Sequence, residues 1–592
     1  MTLFLESYLI FIVTSILTIT IGFLFNFFKK ENIASYLTSG VIIIPSFYAI
    51  YITNFKTVFI GLIFFLLLRI IKVKREYRIN WSEIFSYFLI SSSIFLLLLS
   101  IIFNFNPNYV ITIDYQFYAK LAAYINEVKF ENSLLDYSNT LEQVCIPYHY
   151  ADIYFTGLVS KLFNIHTQHS LTLVVYPILF STIIFSIRQL FDSISLNKYN
   201  LVISVLILFV SMFGLLFPTS FLAMDIWDIS LLSMPKLSYV YICTVWIIYY
   251  IIKNDNQNLI FFTLVLSFVY TVASPAFFIS SCLFILLKKQ VINFELIKLV
   301  SPLVLTFIFF LIFYKLNGSE NYVIGENPLL ETFKLAGIKT TINIIGKMSI
   351  QIIICSLPFI GLVFLIKENI SKNIIMFLFL FYFISLGLWA ILFSMHDSVQ
   401  LWANAFLPFY NVILVYFVFI GIKNSNYSIK SVLVIFCLII SYLNYDNTIQ
   451  SKLQNSIDSK KYRNKNFVYI LNKKKYSNIF SIVENVYQGN TNSLFFTNDN
   501  LKIYCISTDR IKPTNKNEKR FIDQLIFNKY CELNNDKTIT ENKINFIINN
   551  KINYLLIDEP IIPKDLENIF HDEYSIVDNL YCFKTNENFN NP

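Results

Sequence analysis

Apolar runs of about 17 to 25 residues, each long enough to cross a hydrocarbon core as a helix, recur along the chain up to about residue 445. They fall at 7–28, 34–53, 56–72, 84–104, 170–190, 200–222, 236–252, 258–273, 275–288, 296–314, 348–366, 373–394, 402–422 and 431–445. That pattern predicts about fourteen spans. The pair around Ala273-Ser274-Pro275 has two short halves, which suits a broken or re-entrant element. If both halves turn back together, the sidedness of the flanking spans is unchanged.

Two polar stretches interrupt the pattern. Between Asn104 and about Ser170 lies a long segment rich in acid and histidine, and from Asp446 onward short apolar runs alternate with Lys, Asn, Asp and Glu. The expected division is therefore a transmembrane domain over 1–445, with a large loop at 105–169, and a small α/β domain over 446–592. In that second part, Ser493 to Phe496, Lys502 to Ile506 and Asn553 to Asp558 read as strands, with a helix from Pro560 to Phe570 and a closing hairpin of Tyr574 to Val577 with Leu580 to Phe583. Helices are expected at roughly 466–488, with room for a break, and at 518–531 and 539–550. No Gly-rich phosphate loop is present there, which favours a docking or lid role over a nucleotide site.

Composition agrees with the membrane reading and excludes an ordinary soluble globule: 592 residues, 56% hydrophobic, 14% charged, mean hydropathy +0.59. The 61 Phe and 38 Tyr accompany abundant Ile, Asn and Lys, as an AT-rich coding sequence would give. No aromatic stripe is therefore assigned a ligand. The net charge of +8 sits largely between spans, where it sets orientation rather than attracting nucleic acid.

Basic residues fall on alternate connections: Lys29 and Lys30; Lys72, Lys74, Arg75 and Arg78; Arg188 and Lys198; Lys288 and Lys289; Lys367 and Lys372; Lys423 and Lys430. All of them can be cytoplasmic at once. The 105–169 loop, the N-terminus and the C-terminal domain are then exoplasmic, and the expected location is the plasma membrane, as in a bacterial inner membrane. The lysines follow the first apolar run instead of preceding it, so that run reads as a retained anchor. Of the eight cysteines, Cys243, Cys282, Cys355 and Cys437 fall inside spans, and none forms a CxxC pair. Cys505, Cys531 and Cys582 share the C-terminal domain, where a disulfide is allowed but one thiol is left over.

On this topology the ionisable groups converge on one side. Asp114 precedes a stretch with Phe117, Leu121, Tyr124 and Val128 at helical spacing beside Tyr118, Ala122 and Ile125, which predicts an amphipathic interfacial helix. Taken alone, Asp114 reads as its N-cap. Tyr148, His149 and Asp152 follow Pro147, which opens a helix running into Tyr154, Leu158 and Leu162 and puts His149 and Asp152 one turn apart. Asp225 and Asp228 repeat the spacing on a later connection, before Pro235-Lys236 at the head of a span. His396, Asp397 and Gln400 form another such connection, with Asn404 one turn further on. Singly, each has a plain reading: solvated histidine, helix cap, or a Lys236 that snorkels to the interface.

The many spans, the acid-bearing loop with Asp114 and Tyr118, the Tyr148-His149-Tyr150 element before the next span and the C-terminal exoplasmic domain together resemble the GT-C superfamily of membrane glycosyltransferases. The likeness covers the architecture from about residue 84 onward; three additional spans precede the loop, and Tyr115 stands where several branches carry a second acid. The resemblance implies an inverting transfer of a sugar from a polyprenyl-phosphate donor to a glycan, lipid or protein acceptor. Asp114 would be the general base. Tyr118, Tyr148, His149, Asp152, Asp225, Asp228, Lys236, His396, Asp397 and Gln400 would contact substrate, with Lys236 (or Lys339 or Lys347) meeting the phosphate. No cofactor is required by the residues, and the resemblance leaves a divalent metal open.

Two other classes compete. A lipid-linked glycan polymerase or ligase of another fold would also use a large exoplasmic loop, but with paired arginines, which this loop lacks. A transporter or flippase would place polar groups at mid-bilayer in broken spans, for which Ser274-Pro275 is the candidate. The topology itself is testable. Single cysteines placed at 72–79 should be shielded from a membrane-impermeant thiol reagent in intact cells, and those at 105–145 and after 460 should react. Labelling in the reverse pattern would put the acid-bearing loop in the cytoplasm.

Overall fold

In hydrocarbon a backbone N–H or C=O has no water to turn to, so an apolar run of this length satisfies itself as a helix. The computed structural model describes residues 2–29, 32–52, 56–72, 80–103, helical positions within 115–126, 151–165, 167–192, 234–289, 294–317, 372–391 and 399–424. In the C-terminal part it describes 479–481, 503–505, 538–549, 552–557 and most of 560–586, with isolated positions elsewhere.

Among the described residues the helices are α1 (Thr2–Leu24), α2 (Ile33–Ile52), α3 (Lys56–Lys72), α4 (Trp81–Phe103), α5 (Ala151–Phe163) and α6 (Thr167–Asp192). They continue as α7 (Ser238–Ile252), α8 (Asn256–Val269), α9 (Ser274–Lys289), α10 (Phe294–Asn317), α11 (Lys372–Ile391) and α12 (Val399–Asn424). Eight helical stretches are long and apolar enough to cross a membrane, and α3, α8 and α10 contribute shorter apolar stretches. The chain is a polytopic helical membrane protein. The expected spans at 200–222, 348–366 and 431–445 lie outside the described residues, isolated positions apart.

Burial runs against hydropathy. The most apolar spanning helix, α11, has about a third of its length covered, while the less apolar α2 and α7 are about nine-tenths covered and α6 is buried throughout. Lipid accepts hydrocarbon and rejects polar groups, so the helices with Ser, Thr, Tyr and Trp go inside. The outer faces are Leu, Ile and Phe: Leu5 and Leu9 on α1, Phe64 on α3, Leu89 on α4, Leu305 on α10 and Phe383 on α11 are all exposed.

Two prolines explain local departures. Pro45 lies inside α2 and cannot donate to the carbonyl of Val41 one turn back. The Tyr239 hydroxyl donates to that carbonyl at 2.8 Å, and Trp246 Nε1 donates to Thr38 Oγ1 at 3.0 Å, so α7 is fastened to α2 at the gap. In α6, residues Ser170–Val175 widen into a π turn just before Pro177, with the Tyr176 N–H reaching Leu171 O. The extra residue per turn accommodates a proline that supplies no N–H.

Close approach uses glycine in two places on α1 and α2. A Cβ on Gly22 would stand 1.7 Å from the Tyr36 carbonyl oxygen, and one on Gly40 2.2 Å from that of Thr18. Only glycine lets the backbones come so near. The α8–α9 pair, joined by a 3-10 turn at Thr271–Ala273, is a hairpin: Lys288 Nζ near the end of α9 donates to Asn254 and Asn256 at the start of α8, at 3.1 and 3.2 Å. Both halves do turn back together.

The ends bearing the basic connections gather at one edge of the bundle. Arg69 donates to Phe27 O and to Asn258; Arg188 pairs with Glu83 at 3.7 Å and Asp192 at 3.5 Å; Asn32 donates to Gln189, and Asn373 to Asn254. Such clustering is what alternating spans require.

The C-terminal part holds a mixed five-stranded sheet in the order β2-β1-β3-β5-β4, from β1 (Ile479–Ser481), β2 (Ile503–Cys505), β3 (Tyr554–Ile557), β4 (Phe570–Val577) and β5 (Leu580–Thr585). β1 is parallel to β2 and β3, while β5 is antiparallel to β3 and β4. The expected 553–558 strand, the 502–506 strand, the closing hairpin and a helix at Ile539–Asn549 (α13) are present. Two expectations fail. Ile479–Ser481 is a strand where a helix over 466–488 was expected, because pairing on both sides outweighs local propensity. Bends and turns, with no helix, occupy the described positions of 560–569, since Pro563 removes the first internal donor of a helix starting at Pro560. The strand expected at 493–496 and the helix at 518–531 lie outside the described residues. Cys582 is buried on β5.

The glycine contacts give a stability test. Gly22→Ala and Gly40→Ala should each lower thermal stability in detergent by about 1–3 kcal/mol, the usual cost of overpacking. Gly61→Ala and Gly387→Ala, where nothing lies within 4 Å of the new carbon, should not. Equal stability across all four would mean that α1 and α2 are not in contact as described.

Candidate functional site

Of the expected site residues, Asp114, Tyr148, His149, Asp225, Asp228, His396 and Asp397 lie outside the described residues. Tyr118, Asp152, Lys236 and Gln400 are described, and the first three come together. They sit at the end of the bundle opposite the basic edge. Lys236 and Lys253 flank the fifteen-residue α7, a rise of about 22 Å at 1.5 Å per residue.

The described positions of the segment after Asp114 pack against protein. Tyr115, Tyr118, Ala119, Leu121, Ala122 and Ile125 are all buried, which is the period of a helix with its inner face covered. Tyr115 meets Tyr176 edge to face, with centroids 5.5 Å apart. Asn126 closes the inner side: its Nδ2 donates to Gly157 O of α5 at 3.1 Å, and its Oδ1 accepts from the Tyr48 hydroxyl of α2 at 2.7 Å. A side chain at Gly157 would meet Asn126 Oδ1 at 2.8 Å, so glycine is what allows this junction.

Lys236 occupies the 3-10 turn Pro235–Leu237 that leads into α7. It is 4% exposed, and its ammonium lies 5.6 Å from the centroid of the Tyr118 ring. A snorkelling anchor would hold its charge in water. Lys236 holds it inside the protein, over an aromatic face that partly replaces hydration.

Asp152 lies in the first turn of α5 at 1% exposure. Its Oδ2 has no hydrogen-bond partner. Burial pushes its carboxyl up from 3.8 to about 7, opposed by the backbone N–H groups of Ile153 and Asp152 and by the charge of Lys236. Among the described residues, these are the one buried carboxylate and the one buried ammonium. Thr156, one turn along α5, also has a buried hydroxyl without a partner.

Gln400 belongs to a second polar group. Asn404 Nδ2 donates to Gln400 Oε1 at 3.0 Å and to the Tyr270 hydroxyl at 2.9 Å, at the break between α8 and α9. Further along α12, Asn411 donates to the Tyr241 hydroxyl at 3.2 Å. Gln400 and Asn404 were singled out in the sequence, but Asn411 and the π turn were not; the spacing of 404 and 411, two helical turns, was the signal for Asn411. His169 is buried at the start of α6. Among the described residues, no three His, Cys, Asp or Glu side chains gather into a metal-ligand set.

The pair makes a pH-dependent prediction. The folded state keeps the Asp152 proton up to about pH 7 while the unfolded chain releases it near 3.8, so stability falls as pH rises across that window and levels off above it. Removing the lysine leaves a bare carboxylate only where Asp152 is ionised. Lys236→Met should therefore lower the melting temperature much more at pH 8 than at pH 5, and adding Asp152→Asn should restore most of the loss. An equal loss at both pH values would mean the two side chains are not coupled.

Compared with models of known protein families and with curated proteins, this sequence matches none, and the residues themselves carry what can be said of function.

Proposed function

We propose that the chain is an inverting glycosyltransferase that takes a sugar from a polyprenyl-phosphate donor at the exoplasmic side and passes it to a glycan, lipid or protein hydroxyl. The observation that supports this most is the Lys236 ammonium over Tyr118. It sets a buried cation against the segment that follows Asp114. A carboxylate to take a proton and a cation to meet a phosphate are the two groups this reaction needs.

In the proposed reaction an acceptor oxygen attacks the anomeric carbon while the bond from that carbon to the phosphate oxygen breaks. The bonding pair leaves on the phosphate, beside Lys236. The acceptor proton passes to Asp114. Attack opposite the leaving group inverts the anomeric centre. The α5 end, with Asp152 and Thr156, is placed to contact the donor head, and Tyr118 holds the lysine.

A transporter is the second reading, favoured by the buried Gln400, Asn404 and Tyr270 at a broken helix pair. The discriminating experiment uses purified full-length protein in liposomes, a panel of labelled polyprenyl-phosphate sugars, and release of lipid phosphate as readout. Asp114→Asn keeps the size and the capping oxygen but removes the proton acceptor, so it should remain folded with turnover lower by roughly two to four orders of magnitude. Asp114→Ala should lose the cap as well, about 1 kcal/mol of stability. Parental turnover in Asp114→Asn would reduce Asp114 to a helix cap. Movement of the intact lipid with no release of lipid phosphate would favour transport.

A further inference from the structure

The transfer chemistry gives Lys236 a phosphate to hold, yet Lys236 already has an anion beside it. Asp152 is close enough for the lysine charge to act on its carboxyl, and both groups are almost wholly shielded from water. A phosphate reaching Lys236 would put a second negative charge into the same shielded end of the bundle. Two anions sharing one ammonium there repel each other strongly. One of them must be neutralised or leave.

Asp152 is built to be the one that changes. Its Oδ2 accepts no hydrogen bond, and burial disfavours the ionised form more than the Ile153 and Asp152 N–H groups favour it. One hydroxyl within electrostatic range of Asp152 is committed elsewhere: Tyr239 donates its proton to Val41 O at 2.8 Å. That carbonyl is free because of Pro45. A protonated Asp152 has the opposite character. Its O–H is a donor, and a phosphate oxygen is the acceptor it lacks.

We propose that Lys236 exchanges the Asp152 carboxylate for the phosphodiester of the bound donor, and that Asp152 takes up one proton from solvent as it does so and then donates that hydrogen to the phosphate. The inference rests on the lipid-phosphate reading above and adds to it that donor binding carries a proton. Burial, which lifts the carboxyl to about 7, puts that exchange in reach of neutral pH. Below about pH 7 the free site is already protonated and affinity is constant; above it, each pH unit costs up to a tenfold loss of affinity until the bound state itself loses the proton.

The elements packed on α5 bring other titratable groups to this end: Tyr48 from α2, Tyr118 from the 115–126 segment, His169 from α6, and Lys236 and Tyr239 from the head of α7, with Lys161 on α5 itself. Among these described groups His169 alone has an ordinary pKa in the same range. It therefore serves as the control.

The test is binding of methyl farnesyl phosphate, a phosphodiester whose single charge is constant from about pH 5 to about pH 9, to the full-length protein in detergent. Calorimetry in buffers of different ionisation heat reads affinity and proton uptake together. The parent protein should bind with constant affinity at low pH, lose up to tenfold per unit above about pH 7, and take up close to one proton per ligand there. Asp152→Asn should bind with a flat profile and no proton uptake; Lys236→Met should bind weakly at every pH; His169→Gln should keep the parental slope. A parent that binds with a flat profile, or an Asp152→Asn variant that keeps the slope, overturns the exchange while leaving the lipid-phosphate reading standing. A parent that binds the probe at no pH removes that reading, and the exchange with it.

Discussion

Every polar group inside a bilayer must find its partner within the protein, and this fold is arranged around that requirement. The helices settle it for most of the backbone. At two prolines a side chain closes the gap: Tyr239 bonds the carbonyl that Pro45 leaves in α2, and Ser301 donates to the Lys298 carbonyl that Pro302 leaves in α10, at 3.3 Å. Polar side chains consequently belong to inner helices, and the most apolar helix faces outward. The tyrosine that mends α2 also fixes the head of α7, one turn after Lys236. A packing repair and a buried charge are thus parts of one junction.

The two ends of the bundle handle charge differently. At the basic edge, arginines meet carboxylates and carboxamides: Arg188 with Glu83 and Asp192, Arg69 with Asn258. Those groups are partly exposed and mutually satisfied, as a structural edge should be. At the opposite end, Asp152 and Thr156 keep side-chain oxygens with no partner, and the one buried ammonium among the described residues rests on an aromatic ring. Unsatisfied polar atoms are expensive to bury. Asp152 is the one buried carboxylate among the described residues, and its place within reach of the Lys236 charge, beside the segment that follows Asp114, is why the proposed chemistry is put there.

Several particulars were legible beforehand because they depend on local pattern alone. Span positions follow from apolar length, the α8–α9 break from Ser274-Pro275, and the closing hairpin from two β-rich runs separated by Asp578-Asn579. Asp152, Tyr118 and Lys236 could be named as polar residues near span ends. Their association could not, since they are dozens of residues apart and no periodicity connects them. At 479–481 a strand stands in place of the expected helix for the same kind of reason: strand pairing with β2 and β3 is a long-range contact that propensity does not see.

What the sequence determined by itself is the solvent: apolar runs of bilayer length, with basic residues on alternate connections, allow a polytopic helical protein and little else. What only the tertiary structure decided is which helices lie inside, and so which ionisable groups lose their water. Lys236 reads from its position as an interfacial anchor, and Asp152 as one more acid in a polar loop. Packing of α2, α5, α7 and the 115–126 segment removes both from solvent at once, and desolvation, which depends on every neighbour in three dimensions, is what turns two ordinary charges into a coupled pair.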